Sequence, residues 1–215
     1  VGADRLLGHQ EGRHMLSSRA NRGFTLVELM VGIALLAILL AIGGPGFSSW
    51  PQNTQVRTMS EAIQNGIQLS RAEAVRRNAQ VRFELMSSLD NTCAPSTSGR
   101  NWVVSMDGAG GSCASTNMAD AAAPVAPRMI QTRPGGDGSR NAVVAASQTN
   151  IIFNGLGRVT PVPGADITID VTNPNGGACA DLGGPMRCLR IVVTAGGQVR
   201  MCDPRAAFAG TSEGC

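Results

Sequence analysis

Hydrophobic positions follow three regimes along this chain. From Phe24 to Ile42 they are nearly continuous, interrupted by a single ionisable side chain, Glu28. At helical rise that run is long enough to cross the hydrocarbon core of a bilayer. From Val56 to Ala74 the buried-type positions step by three or four. Val56, Met59, Ile63, Ile67, Ser70 and Ala74 share one face and Arg57, Glu61, Gln64, Gln68, Arg71 and Arg76 the other, which predicts an amphipathic helix. Between the two regimes Gly43, Gly44, Pro45 and Gly46 predict a kinked or locally melted helix. Beyond residue 80 the period falls to two. Val81, Phe83 and Leu85 alternate with Arg82, Glu84 and Met86, a half-buried strand. Further strands are predicted at 101–106, 151–153, 158–162, 167–171, 189–194 and 198–202, separated by long Gly-, Pro-, Ser- and Asn-rich loops.

A lone acid in an apolar run of this length demands a reason, because a carboxylate inside a membrane helix costs roughly 2.5–3.5 kcal/mol on insertion scales. Arg19 and Arg22 lie just upstream and place that end in the cytoplasm. Gly23-Phe24-Thr25-Leu26-Val27-Glu28, with basic residues before it and an apolar helix after it, resembles the processing site of type IV prepilins and type II secretion pseudopilins. The resemblance implies cleavage by prepilin peptidase after Gly23, methylation of the new amino terminus on Phe24, and Glu28 as the fifth residue of the mature chain. An ordinary secretory signal is cut after its apolar stretch; here the candidate cut precedes it, so the stretch is retained. Residues 1–14 precede Met15, a natural start, and are expected to be an over-extended reading of the gene.

The chain divides on this reading into a leader over 1–23, a transmembrane helix over 24–45, its amphipathic continuation over 46–80 and a β-rich periplasmic head over 81–215. The fold class is α+β, with the long amino-terminal helix packed on the head. The sequence from Leu69 to Val81, Trp102 with the valines after it, the segment 151–157 and the final hairpin 189–202 are similar to the GspH/FimT branch of pseudopilins. Four of the 18 basic and two of the 15 acidic side chains precede Phe24, so the mature chain is close to neutral and net charge draws in no polyanion.

All six cysteines, Cys93, Cys113, Cys179, Cys188, Cys202 and Cys215, follow the apolar run and so lie where thiols oxidise. Cys93 and Cys113 bracket a Gly/Ser-rich loop. Cys188 and Cys202 flank Ala195-Gly196-Gly197 symmetrically, which would leave Cys179 for Cys215; a competing local scheme pairs Cys179 with Cys188 and Cys202 with Cys215. Without a C-x-x-C pair or an accompanying His, no metal site is expected.

Both histidines, His9 and His14, precede the cut, and the chain has no Lys, so the mature protein lacks the usual general base and Schiff-base amine. No enzyme activity and no cofactor are expected. Arg187, Arg190, Arg200 and Arg205 cluster in the last hairpin and its tail, opposed locally only by Asp203. Such a group can hold DNA backbone without reading sequence, and FimT-type minor pilins carry a Gly-Arg-x-Arg stretch implicated in DNA uptake. Here Gly197 and Arg200 match it but Gln198 replaces the first arginine. Solvated strand faces are the plainer reading of the same residues. The expectation is therefore a minor pseudopilin that assembles with other pilins through its apolar helix, in a type IV pilus or alternatively a type II secretion pseudopilus. It would be single-pass in the inner membrane before assembly, with double-stranded DNA a candidate partner.

Overall fold

A computed structural model describes residues 23–43 and 49–215. It divides into a unit that ends at Gly43 and a second that runs from Gly44 to Cys215. The expected leader with Arg19 and Arg22, and the Gly/Pro cluster around Pro45, lie outside the described residues.

In the first unit, helix α1 (Leu26–Gly43) carries large apolar side chains on every side, and those from Leu26 to Leu40 are exposed. Its 18 residues rise roughly 27 Å, a few Å less than the hydrocarbon core of about 30 Å. Among the described residues no helix is long and apolar enough to cross a membrane. The helix starts two residues later than the apolar run because Thr25 caps it.

In the second unit, helix α2 (Ser49–Arg77) has Pro51 in its first turn, where a missing N–H costs nothing. It stops at Asn78, whose φ of 48° is left-handed. All six residues of the expected inner face, Val56 to Ala74, are buried. The buried hydroxyls of Ser60 and Ser70 donate to the carbonyls of Val56 and Ile67, which satisfies them inside the helix. At Gly66 the missing side chain lets the helix settle on Phe83 and Trp102; a Cβ there would stand 2.8 Å from the Phe83 ring.

Helix α2 packs on two four-stranded antiparallel sheets, so the α+β expectation holds. The first has the order β3-β2-β1-β5, formed by β1 (Val81–Met86), β2 (Asn101–Ser105), β3 (Met129–Arg133) and β5 (Asn150–Phe153). The second has the order β4-β6-β7-β8, formed by β4 (Val143–Ala146), β6 (Ile167–Thr172), β7 (Leu189–Val193) and β8 (Val199–Cys202). Val81, Phe83 and Leu85 of β1, Ile167, Ile169 and Val171 of β6, and Ile191 and Val193 of β7 join the α2 face in one core.

Four sequence expectations change. The stretch 158–162 is not a strand of either sheet: Val159 bridges to Phe153 and Thr160 donates to the Ile152 carbonyl, but Pro161 follows and cannot continue a ladder. Strands β3 and β4 are additional, both short edges. The alternate face of β1 is not solvated either; Glu84 and Met86 are buried beneath the loop that Cys93 and Cys113 tie off, over a small cluster with Val103, Ala109 and Met129. Finally, the pairing symmetric about Ala195-Gly196-Gly197 fails. Cys202 stands opposite Arg190 in the hairpin, so Cys188 lies two residues beyond its reach. The disulfides are Cys93–Cys113, Cys179–Cys188 and Cys202–Cys215, the competing local scheme.

Candidate functional site

Two groups of residues carry the sequence-based expectations, and the structure treats them differently. At the start of α1, Gly23, Phe24 and Thr25 are non-helical. The Thr25 hydroxyl accepts the Glu28 N–H at 3.2 Å, and the Thr25 carbonyl accepts the Leu29 N–H at 3.1 Å. Thr25 and Glu28 thus have the spacing of a capping box, which holds the helix start after the Gly23–Phe24 junction. Phe24, Glu28, Gly32, Ile33 and Leu36 line one shallow notch of about 290 Å³. Nothing lies within 4 Å of the position a Gly32 side chain would take, so the notch is open beside the carboxylate. Although Phe24 precedes the helix, the structure brings it and Glu28 to the same notch.

The four arginines of the final hairpin are occupied. Arg190 forks onto Asp170 with contacts of 2.6 and 3.1 Å, a pair set by their opposite positions in the β6–β7 register. Arg205 grips Asp203 at 3.0 and 2.8 Å and stacks over Phe208, 4.4 Å from the ring centre. Arg187 donates to Asp203 at 3.1 Å and to Glu213 at 3.4 Å. Arg200 donates to the carbonyls of Gly214 and Cys215, clamping the tail that the Cys202–Cys215 bond also holds. Asp203, only 2% exposed, is the hub. Burial alone would push its carboxyl up, but the hydrogen bonds from Arg205 and Arg187 win and hold it below the usual carboxylate range.

Asp203 is therefore not the only local counter-charge: Asp170 and Glu213 share the work. Asp170 was findable, since the alternation Ile167, Ile169, Val171 sends it to the outer face where the neighbouring strand presents Arg190. Glu213 had no signal, because its approach depends on how the tail folds back. Among the described residues no group of His, Cys, Asp and Glu is placed to hold a metal ion.

A family model described as type II transport protein GspH matches residues 60–197, and a prokaryotic N-terminal methylation motif matches residues 18–44. Two crystal forms of the type IV minor pilin FimU from Pseudomonas aeruginosa strain PAO1 are similar in structure. They share 13% and 12% identity with this chain, with TM-scores of 0.45 and 0.44, over 69% of this chain and 92% and 96% of theirs. No curated protein matches.

Proposed function

This chain belongs to the type II transport protein GspH family and is a minor pseudopilin, and we propose that it works as an assembly subunit cut after Gly23 and methylated on Phe24. The observation that carries this reading is α1 itself: a helix apolar on every side, with no core of its own and one carboxylate, beginning just after the Gly23–Phe24 junction. Such a helix needs apolar surroundings, first lipid and then neighbouring copies of the same kind of helix. A stretch this short is seated in a bilayer by local thinning. The subunit would wait in the inner membrane with its head in the periplasm, where the three disulfides are stable. In the filament, Glu28 would neutralise the amino-terminal ammonium of a neighbour, so that neither charge is buried alone.

Intact-mass analysis of protein extracted from membranes tests the processing. The expected mass is that of a chain starting at methylated Phe24; an unprocessed chain, or one cut beyond Ile42, overturns the reading.

The machine we propose is a type IV pilus. A type II secretion pseudopilus is the second reading, favoured by the description of the matching family. Deleting the gene and scoring surface pili against secreted proteins separates them: loss of pili alone supports the first, loss of secretion alone the second. We do not extend the proposal to DNA. Phosphates would have to displace Asp170, Asp203 and Glu213 from Arg187, Arg190 and Arg205, and each exchange surrenders a charge-assisted hydrogen bond. The oxidised chain is expected to leave DNA mobility unchanged at low salt; a shift that fades with salt would restore DNA as a partner.

A further inference from the structure

The two tryptophans of this chain have opposite surroundings. Trp102 is 2% exposed, packed with Phe83 against α2 at Gly66. Trp50 is 71% exposed. It sits in the first turn of α2, at the rim of a groove of about 440 Å³ that Thr54, Arg57, Arg187 and Met201 also line. An indole left in water forfeits the burial of a large apolar body, and such a ring is favoured where one end can be apolar and the other wet.

Chain length limits where this ring can be. Gly43 ends α1 and Trp50 follows seven residues on. Seven residues fully extended reach at most about 25 Å. If α1 occupies the hydrocarbon core, the adjoining headgroup layer lies well within that reach of Trp50, and it is the depth at which tryptophans concentrate in membrane proteins. The charges around the groove leave recognition to the indole. Arg57 pairs with Glu61 at 2.7 Å, and Arg187 with Asp203 and Glu213, so the rim offers little unbalanced positive charge for anionic lipid.

We infer that Trp50 rests in the headgroup and glycerol layer of the bilayer that holds α1, steadying the head on the membrane surface until the subunit leaves for the filament. The inference rests on the membrane-anchor reading above. The recognised partner is the zwitterionic interface itself, reached by an amphipathic ring, and binding is indifferent to salt. A protein surface on another subunit would be the competing occupant.

The two tryptophans make the test direct. The mature full-length chain is placed in phosphatidylcholine nanodiscs, and the emission of Trp50 is taken as the difference between wild type and Trp50→Phe, a change outside the core. Lipids brominated near the glycerol end of the chain should quench that difference signal, and lipids brominated near the bilayer centre should not. Aqueous acrylamide should quench it weakly, and added salt should change none of this. Quenching by acrylamide alone, in a chain that co-purifies with the nanodiscs, overturns the inference and leaves the anchor standing. So does protection that appears only when other pilin subunits are added. A chain that fails to enter nanodiscs overturns the anchor reading and this inference with it.

Discussion

Helix α1 carries its large apolar side chains all round, whereas α2 buries Val56, Met59, Ile63 and Ile67 along one stripe and turns Arg57, Arg71 and Arg76 outward. The contrast repeats in three matched pairs. Leu36 of α1 is exposed while Ile63 of α2 is fully buried. Gly32 has open space where a side chain would go, and Gly66 has the rings of Phe83 and Trp102. Glu28 sits in the exposed helix, and Glu84 is sealed inside the head at 3% exposure. In each pair the residue of the head meets its neighbours inside its own unit, and the residue of α1, among the described residues of its unit, stands exposed or in open space. A helix with one stripe is completed by its own sheets. A helix apolar all round has no such stripe to bury, and on the assembly reading proposed above it is completed by lipid or by other chains.

The largest expected effect breaks the comparison at its acid. Glu28→Ala should remain in the membrane as well as wild type, since the change removes a buried charge, yet fail to enter filaments or pseudopilin complexes. Cross-linking or shearing measures incorporation; recovery equal to wild type would leave Glu28 without a partner role.

The aliphatic pair comes next. Ile63→Ala opens a cavity in the core and should destabilise the head by about 2–5 kcal/mol, whereas Leu36→Ala should leave head unfolding unchanged. Urea denaturation followed by Trp102 fluorescence reads both. Equal losses would mean that α1 and the head share a core after all.

The glycines should show a smaller split. Alanine is the better helix former by about 1 kcal/mol, so Gly32→Ala has room to gain helix stability. At Gly66 the same methyl meets the Phe83 ring at 2.8 Å, and overpacking of about 1–3 kcal/mol should outweigh the propensity gain. Circular dichroism melts of the two variants, compared with wild type, are expected to move in opposite directions.

These pairs also mark what could be read from residues alone. The α2 stripe was legible because six positions at helical spacing all had to face one way, and the β1 triple because Val81, Phe83 and Leu85 alternate. Strand β3 was not, since only Met129 of its five residues is buried and its ladder with β2 slips at Val104/Ser105. Strand β4 is a four-residue edge whose side chains are small. At the candidate site, the Gly23–Phe24 junction and the lone acid Glu28 were legible as a local motif, but the Thr25 cap was not read from it. The arginine partners did not, because Asp170, Asp203 and Glu213 are brought together by strand register and by the disulfide-tied tail, both long-range. The cysteine scheme turned on a hairpin centre misjudged by one residue, an error that shifts every cross-strand partner by two.

The smallest effect concerns the second acid. The Glu84 carboxylate accepts the Ala109 N–H at 2.9 Å, and the nearest cation, Arg82, stands 3.9 Å away. Burial pushes its pKa above the ordinary value, against the opposing pull of the Ala109 hydrogen bond and of Arg82. A carboxyl raised on folding binds its proton more tightly in the native state than in the unfolded one. Its contribution to stability is therefore fully present below the unfolded pKa and is lost as pH rises through the folded one. Glu84→Gln keeps an oxygen for the Ala109 N–H and has no charge to bury. It should equal wild type in strong acid and be more stable at neutral pH, by no more than about 1 kcal/mol. The Asp107–Arg128 pair gives the opposite slope for calibration. Hydrogen bonds from the Arg128 guanidinium hold the Asp107 carboxyl at about 2, so its stabilisation is present above the usual Asp range and fades as pH falls toward that value. Denaturation midpoints of wild type and Glu84→Gln between strong acid and neutral pH should diverge upward with pH. A constant offset would mean that shape at the Ala109 contact, rather than the carboxylate's charge, decides what Glu84 costs.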